Sequence, residues 1–332
     1  MTGQKVTQES RCTFVSVATC AYSGATLLAF LLGSHPEIAT VGEMDGLIPS
    51  ENPEQYRCSC GERIRDCDFW VRVAAGMSRR GFSFDVGHFD LRFSAPVSRI
   101  IRYIRMGSTG VRLIDSLRDS VFFKLPSERR RTAALAARNV AFIRTVLEVT
   151  GKRIFVDTSK GPFRLPALAR FSSLNLRAIH LIRDVRGVVA SRIRHGTTLP
   201  VRKMARQWVT SNRRIQGLLR GSFRDRYLTV RYEDLCRDLE VTVRSIQDFC
   251  GCQKLSPPLD SHGFEHHILG NPMRLHAGSA VRLDEQWRTL LTRRQLAAIR
   301  HVTESLNRHL GYAEEATGEA KEQGQRNEAT NS

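Results

Sequence analysis

Residues 12–37 read CTFVSVATCAYSGATLLAFLLGSHPE, and the reading of this stretch decides the fold. TFVSVAT is a short apolar, β-branched run closed by Cys20, Ala21 and Tyr22, the pattern of a strand buried on both faces. ATLLAFLL then takes a helical character and stops at Gly-Ser-His-Pro. No Asp, Glu, Lys or Arg lies between Cys12 and Ser34, so a membrane span has to be weighed. Thr13, Ser16, Thr19, Tyr22, Ser23, Gly24 and Thr26 recur through it, and Gly24 sits where a single spanning helix would be weakened. The stretch therefore predicts strand, tight loop and helix, with no membrane span.

The same rhythm resumes further along. RIFVDTSK (153–160) predicts a strand ending in a polar loop, and GPFRLPALARFSS (161–173) a helix with Pro162 near its first turn. LRAIHLIRD (176–184) and VRGVVASRIRHG (185–196) repeat the pair, as do RYLTVRYEDL (226–235) and EVTVRSIQDFCG (240–251), the last with Gly251 as C-cap. ERRRTAALAARNVAFIRTVLEVTGK (128–152) is an amphipathic helix ended by Gly151. Strand and helix alternating in this way predict an α/β fold of three layers, a central parallel sheet with helices on both faces and ligands at the strands' carboxyl ends. Residues 1–11 read as a flexible N-terminus, 12–312 as one domain with an irregular, lid-like helical insertion at about 51–110 between the first two strands, and 313–332 as a disordered acidic tail.

At 332 residues, 41% hydrophobic and 25% charged, the chain has the composition of a globular protein. Its 51 Lys+Arg against 33 Asp+Glu leave +18, which points to an anionic ligand or partner. No basic stripe interleaved with aromatics appears, so nucleic acid ranks last among the anions. Neither a cleavable signal pattern nor a second apolar segment is evident, and a cytoplasmic location is expected.

The eight cysteines are too sparse for a disulfide scaffold. Cys58, Cys60 and Cys67, in RCSCGERIRDC, offer thiols with no fourth ligand nearby in sequence and a Cys-x-Cys spacing tighter than most zinc knuckles. They are read as reduced packing cysteines and no metal site is assigned, structural zinc or a disulfide being the alternatives. His266 and His267 are adjacent and point apart on helix or strand, so they are discounted as a metal pair.

Two loops can hold an anion. Between the first strand and its helix, backbone N–H groups converge at a helix N-terminus, Gly24 permits close approach, and Ser23 and Thr26 carry hydroxyls. This is no Walker A loop: Gly-x-x-x-x-Gly-Lys-Ser/Thr is absent, and with it the lysine and the magnesium-placing hydroxyl. In HLIRDVRGVVASR, Arg183 stands at a strand end and Ser191 two turns into the next helix, a pair able to grip one phosphate. The plainer reading is an Arg183–Asp184 salt bridge with an exposed basic helix behind it.

Taken together, YSGATLLAFLLGSHPEIATVGE, VDTSKGPF, LIRDVRGVVASR and VRYEDLCRD, in this order, resemble the sulfotransferases that use 3′-phosphoadenosine 5′-phosphosulfate (PAPS), bacterial members first and tyrosylprotein sulfotransferases more distantly. The resemblance implies a P-loop-like fold, PAPS as co-substrate, no metal requirement, and a small-molecule or glycan acceptor. It places the 5′-phosphosulfate on Ser23, Gly24, Ala25, Thr26 and Leu27, and the 3′-phosphate on Arg183 and Ser191. Tyr232 would lie against the nucleotide, and Arg274 and Arg288, in a segment that closes over its 3′ end, would add anion contacts. Where the family loop carries a basic residue and a further hydroxyl, this chain has Tyr22 and Ala25. Lys160 is the substitute cation, Tyr22 an alternative donor, and Glu43 the base that accepts the acceptor's proton. Asp157 is expected to fix the loop around Lys160. A P-loop kinase-like phosphotransferase and a catalytically inactive nucleotide-binding relative are the competing readings.

Overall fold

The computed structural model describes residues 12–45, 52, 54–93, 126–161, 164–256, 266–268 and 281–312. The expectations for 1–11, 313–332, Pro162, Arg274 and residues 94–110 of the insertion lie outside them. The first strand is β1 (Thr13–Thr19), every residue of which is buried, and the helix after it is α1 (Ala25–Gly33). The described elements continue as β2 (Ile38–Thr40), α2 (Asp68–Arg79), α3 (Pro126–Thr150), β3 (Ile154–Lys160), α4 (Arg164–Phe171), β4 (Asn175–Ile182), α5 (Val185–Arg194), α6 (Val201–Ser222), β5 (Tyr227–Arg231), α7 (Tyr232–Arg237), α8 (Leu239–Cys250), α9 (Trp287–Leu290) and α10 (Arg293–His309).

The strands form one five-stranded sheet in the order β2-β3-β1-β4-β5, parallel throughout. β1 is the middle strand because its two faces are both apolar, and the chain order reverses around it, so its carboxyl end is the switch point where such sheets bind ligands. Alternate residues of β1 feed two cores. Phe14 and Ala18 join Phe155, Leu176 and Ala178 in a cluster that takes in Trp70 and Met77 of α2 and Phe142 and Val146 of α3. Val15 and Val17 join Ile154, Val156, Ile179 and Leu181 beneath Leu28 and Leu32 of α1 and Val243 and Ile246 of α8. This is the three-layer α/β architecture expected.

Three details differ from expectation. β2 was not anticipated: three residues, Ile-Ala-Thr, are too few to show a period, and pairing with β3 from Ile38 opposite Ile154 makes them a strand. The insertion consequently follows the second strand, not the first. The strand expected to run to 235 ends at Arg231, where Tyr232 opens α7.

The fold divides into two compact units, Met1–Ile182 with Arg214–Arg282, and Arg183–Arg213 with Leu283–Ser332. The sheet and both cores belong to the first. In the second, α9 and α10 pack on α5, and Thr292 begins α10 with a reciprocal cap, accepting from Gln295 N while Gln295 reaches back to Thr292 N. Among the described residues no helix is long and apolar enough to cross a membrane.

Candidate functional site

In the first unit the site grows from the corner between β1 and α1. Tyr22 and Gly24 both take left-handed backbone, at φ 67° and 91°, which turns the chain abruptly from strand into helix. Gly24 is the N-cap of α1 and supplies no side-chain hydrogen bond, and no acidic residue occupies the first turn. The helix thus presents its positive end without a built-in anion. Ser23 is buried at the same corner. A side chain on Gly24 is excluded twice over, by its φ and by the Tyr232 ring, whose Cδ2 would stand 2.5 Å from an added Cβ. Tyr232 therefore lies over the loop backbone at Gly24.

Lys160 arrives beside this corner through an irregularity in the sheet. Ser16 pairs with Asp157 but Ala18 pairs with Lys160, so β3 carries one residue more than β1 between those points. The bulge sets Lys160 level with the end of β1, in left-handed backbone at φ 66°. Its Nζ donates to Oε1 of Glu43, just beyond β2. Two residues picked out separately in the sequence are thus in contact.

Asp157 anchors this arrangement from below. It accepts from Ser159 N at 3.0 Å and Ser159 Oγ at 2.5 Å, and Ser159 Oγ in turn accepts from Met44 N at 2.8 Å. The segments carrying Lys160 and Glu43 are stitched together through these bonds. Arg164 completes the support: it is 4% exposed and donates to Asp157 at 2.5 Å, Asp45 at 3.1 Å and Asn139 Oδ1 at 2.8 Å. Sequence reading passed over Arg164 and Asp45. An Arg inside GPFRLPALAR looks like one of many surface arginines, and only its burial beside Asp157 and Asn139 marks it out.

In the second unit Arg183 is 5% exposed. It bends over Gly187, where an added Cβ would stand 2.9 Å from its Nε, and donates from one terminal nitrogen to Asp284 Oδ2 at 3.0 Å and Asp284 O at 3.3 Å. Arg194 donates to the same carboxylate at 2.8 Å. Burial by itself would raise the Asp284 carboxyl, but the hydrogen bond and charge of Arg183, the Gln286 N–H and the charge of Arg194 outweigh it and hold it below the ordinary range. Asp184 is buried at the start of α5. It caps α5 through Arg186 N at 2.7 Å and binds the Arg186 guanidinium, which lies 3.9 Å from the Trp287 ring centre. Ser191 is buried on α5. Arg288 is half-exposed, pairs with Glu285 at 2.9 Å and covers the other contact of Trp287 at 4.7 Å.

The first unit thus carries an uncapped helix end and a lysine–carboxylate pair, and the second a buried arginine at the start of α5. The model of the Sulfotransferase family matches residues 15–257. The chain belongs to the sulfotransferase family. Over 177 residues it is 30% identical to carbohydrate sulfotransferase 1 of Mus musculus, covering 45% of this chain and 41% of the relative. It is 29% identical over 168 residues to carbohydrate sulfotransferase 5 of Homo sapiens, covering 42% of this chain and 41% of that one. The match spans less than half the length of these relatives. Among solved structures, the sulfotransferase domain of the Synechococcus PCC 7002 olefin synthase superposes with a TM-score of 0.51 at 19% identity, over 89% of this chain and 94% of that domain. That likeness bears on the fold and agrees with the sulfotransferase family's P-loop-like sheet.

Proposed function

We propose that this sulfotransferase-family chain moves a sulfuryl group from PAPS to a hydroxyl or amine of a small-molecule or glycan acceptor by in-line displacement. The observation that carries the reading is the Lys160–Glu43 pair set level with the end of β1, beside a helix N-terminus that has no side-chain cap. Ser23, Thr26 and the backbone of Gly24, Ala25 and Leu27 hold the 5′-phosphosulfate. Arg183 and Ser191 hold the 3′-phosphate, Tyr232 lies against the nucleotide, and Arg274 and Arg288 add charge. Glu43 takes the acceptor's proton as its oxygen bonds to sulfur. Lys160 donates to the phosphate oxygen that receives the electron pair of the breaking S–O bond, with the Tyr22 phenol as the alternative donor. With these groups supplying the positive charge, the transfer requires no metal ion. Carbohydrate hydroxyls are the first acceptors to test, given the carbohydrate sulfotransferases this chain resembles. A reducing compartment, the cytoplasm, belongs to the proposal, the eight cysteines being too sparse for a disulfide scaffold.

Calorimetric titration with adenosine 3′,5′-bisphosphate without added magnesium, beside ATP with magnesium, tests the nucleotide. Binding of the bisphosphate alone is expected. Binding of ATP with magnesium alone would put the kinase-like reading in its place, and bisphosphate binding without turnover on any acceptor would mark an inactive relative. Lys160→Met is expected to lower kcat on the order of 100-fold or more while leaving bisphosphate affinity within about threefold. An unchanged kcat would remove Lys160 from the reaction, and an equal loss from Tyr22→Phe would give its role to the phenol.

A further inference from the structure

The fold supplies what the Cys58–Cys67 loop lacks in sequence. Cys58, Cys60, Cys67 and His266 each turn a ligand atom toward one point, and these atoms all lie within 4.8 Å of one another. His266 Nδ1 stands 3.3 Å from Cys67 Sγ and 3.6 Å from Cys58 Sγ, and Cys60 Sγ stands 3.7 Å from Cys67 Sγ. A zinc tetrahedron with arms of about 2.3 Å to sulfur and about 2.0 Å to nitrogen has edges of about 3.8 Å between sulfurs and about 3.5 Å between sulfur and nitrogen. These three separations are close to those edges, and every other pair of ligand atoms lies within 4.8 Å. We propose that Cys58, Cys60, Cys67 and His266 form a structural Cys3His zinc site.

The surroundings are built for it. The tight Cys-x-Cys spacing is accommodated by a turn in which Gly61 N donates to Cys58 O at 2.9 Å, with Gly61 at φ 94°, a conformation glycine adopts without strain. Cys67 is the N-cap of α2, where the helix end favours a thiolate. The His266 ring is held flat against Phe69, 4.3 Å between centres and 5° between planes, so its orientation toward the sulfurs is set by packing. Ser59 N donates to His267 O at 3.0 Å and His267 N to Ser59 Oγ at 2.8 Å, which registers the histidine segment on the cysteine loop. His267 faces away, stacked on Phe30. Adjacent histidines do point apart, as expected, and one of them is enough. Cys58 and Cys67 are buried while Cys60 is exposed, leaving an entry path for the ion. Three sulfurs and an imidazole in a closed tetrahedron match zinc and leave no open position for catalysis. The ion would clip segments 199 residues apart, Cys67 to His266, and so add stability to the native state that the unfolded chain cannot recover.

The test is metal analysis of the full chain purified without chelator. About one zinc per chain is expected, together with a tetrahedral cobalt spectrum carrying sulfur-to-metal charge-transfer bands when Co²⁺ replaces it. Cys60→Ser, at the exposed ligand, and His266→Asn should each lower zinc retention at least tenfold, whereas Cys252→Ser, a half-buried thiol elsewhere, should not. Removal of the zinc by chelator should lower the melting temperature of the native chain and leave that of Cys60→Ser unmoved. A metal-free native chain whose Cys60 and Cys67 thiols react freely, a Cys60–Cys67 disulfide in the mass spectrum, or equal zinc content in the Cys60→Ser and His266→Asn variants would each overturn the site.

Discussion

At the scale of single residues, the chain uses arginines in two ways that composition cannot separate. Arg164 is a strut: buried with Asp157 and paired with the partly exposed Asp45, it holds the segments that carry Lys160 and Glu43. Arg183 is buried too, yet one side of its guanidinium rests on a glycine, not on a side chain. Gly187→Ala separates its role from simple stability. Alanine favours the helix by about 1 kcal/mol over glycine, while the new Cβ, 2.9 Å from Arg183 Nε, pushes the guanidinium aside. The melting temperature should change little, the helix gain offsetting the disturbed Arg183–Asp284 pair, as bisphosphate affinity falls on the order of tenfold, a charge-assisted contact being worth about 1.5–3 kcal/mol. Thermal denaturation and calorimetry on the same sample check it, and unaltered affinity would take Arg183 out of the 3′-phosphate site. The motif RDVRG was legible in the sequence. That Arg183 pairs with Asp284 was not, because the partner comes from the far end of the chain.

At the scale of elements, helix ends and strand ends carry the residues of the proposed site. α1 is buried along nearly its whole length and bare at its N-terminus, whereas α5 is capped by Asp184 and α10 by Thr292. α5 is also tied to the segment before α9 through Asp284, which accepts from both Arg183 and Arg194. Because the folded Asp284 carboxyl is held below its unfolded value of about 3.9, its contribution is complete above that value and is lost as pH falls through the lowered one. Asp284→Asn should therefore cost about 1–2 kcal/mol near pH 7. The difference from the native chain should shrink below about pH 4 and vanish in stronger acid. Denaturant midpoints measured from pH 7 to pH 3 give the comparison, and a difference independent of pH would deny the carboxylate this role. The βα elements themselves were readable from their periods, with β2 the exception because three residues have no period to read.

At the scale of the whole molecule, the excess of positive charge recorded as +18 acts on the approach of an anion more than on its final contacts. Screening shortens from about 10 Å at 0.1 M salt to about 3 Å at 1 M. Bisphosphate association should slow on the order of tenfold across that range, while dissociation, governed by the buried Arg183, changes little. Stopped-flow binding resolves the two, and a salt-independent association rate would separate the net charge from ligand capture. The sequence by itself determined the parallel α/β fold, the strand-to-helix corner after β1, and the loops holding Lys160, Glu43 and Arg183, because hydrophobic period and turn chemistry are local and are written within a few residues. Only the tertiary structure decided that Lys160 meets Glu43, that Asp284 answers Arg183, and that His266 completes the cluster of Cys58, Cys60 and Cys67. These are contacts between segments far apart in the chain. Their partners are chosen by sheet order, by a bulge and by packing, none of which leaves a mark on the neighbouring sequence.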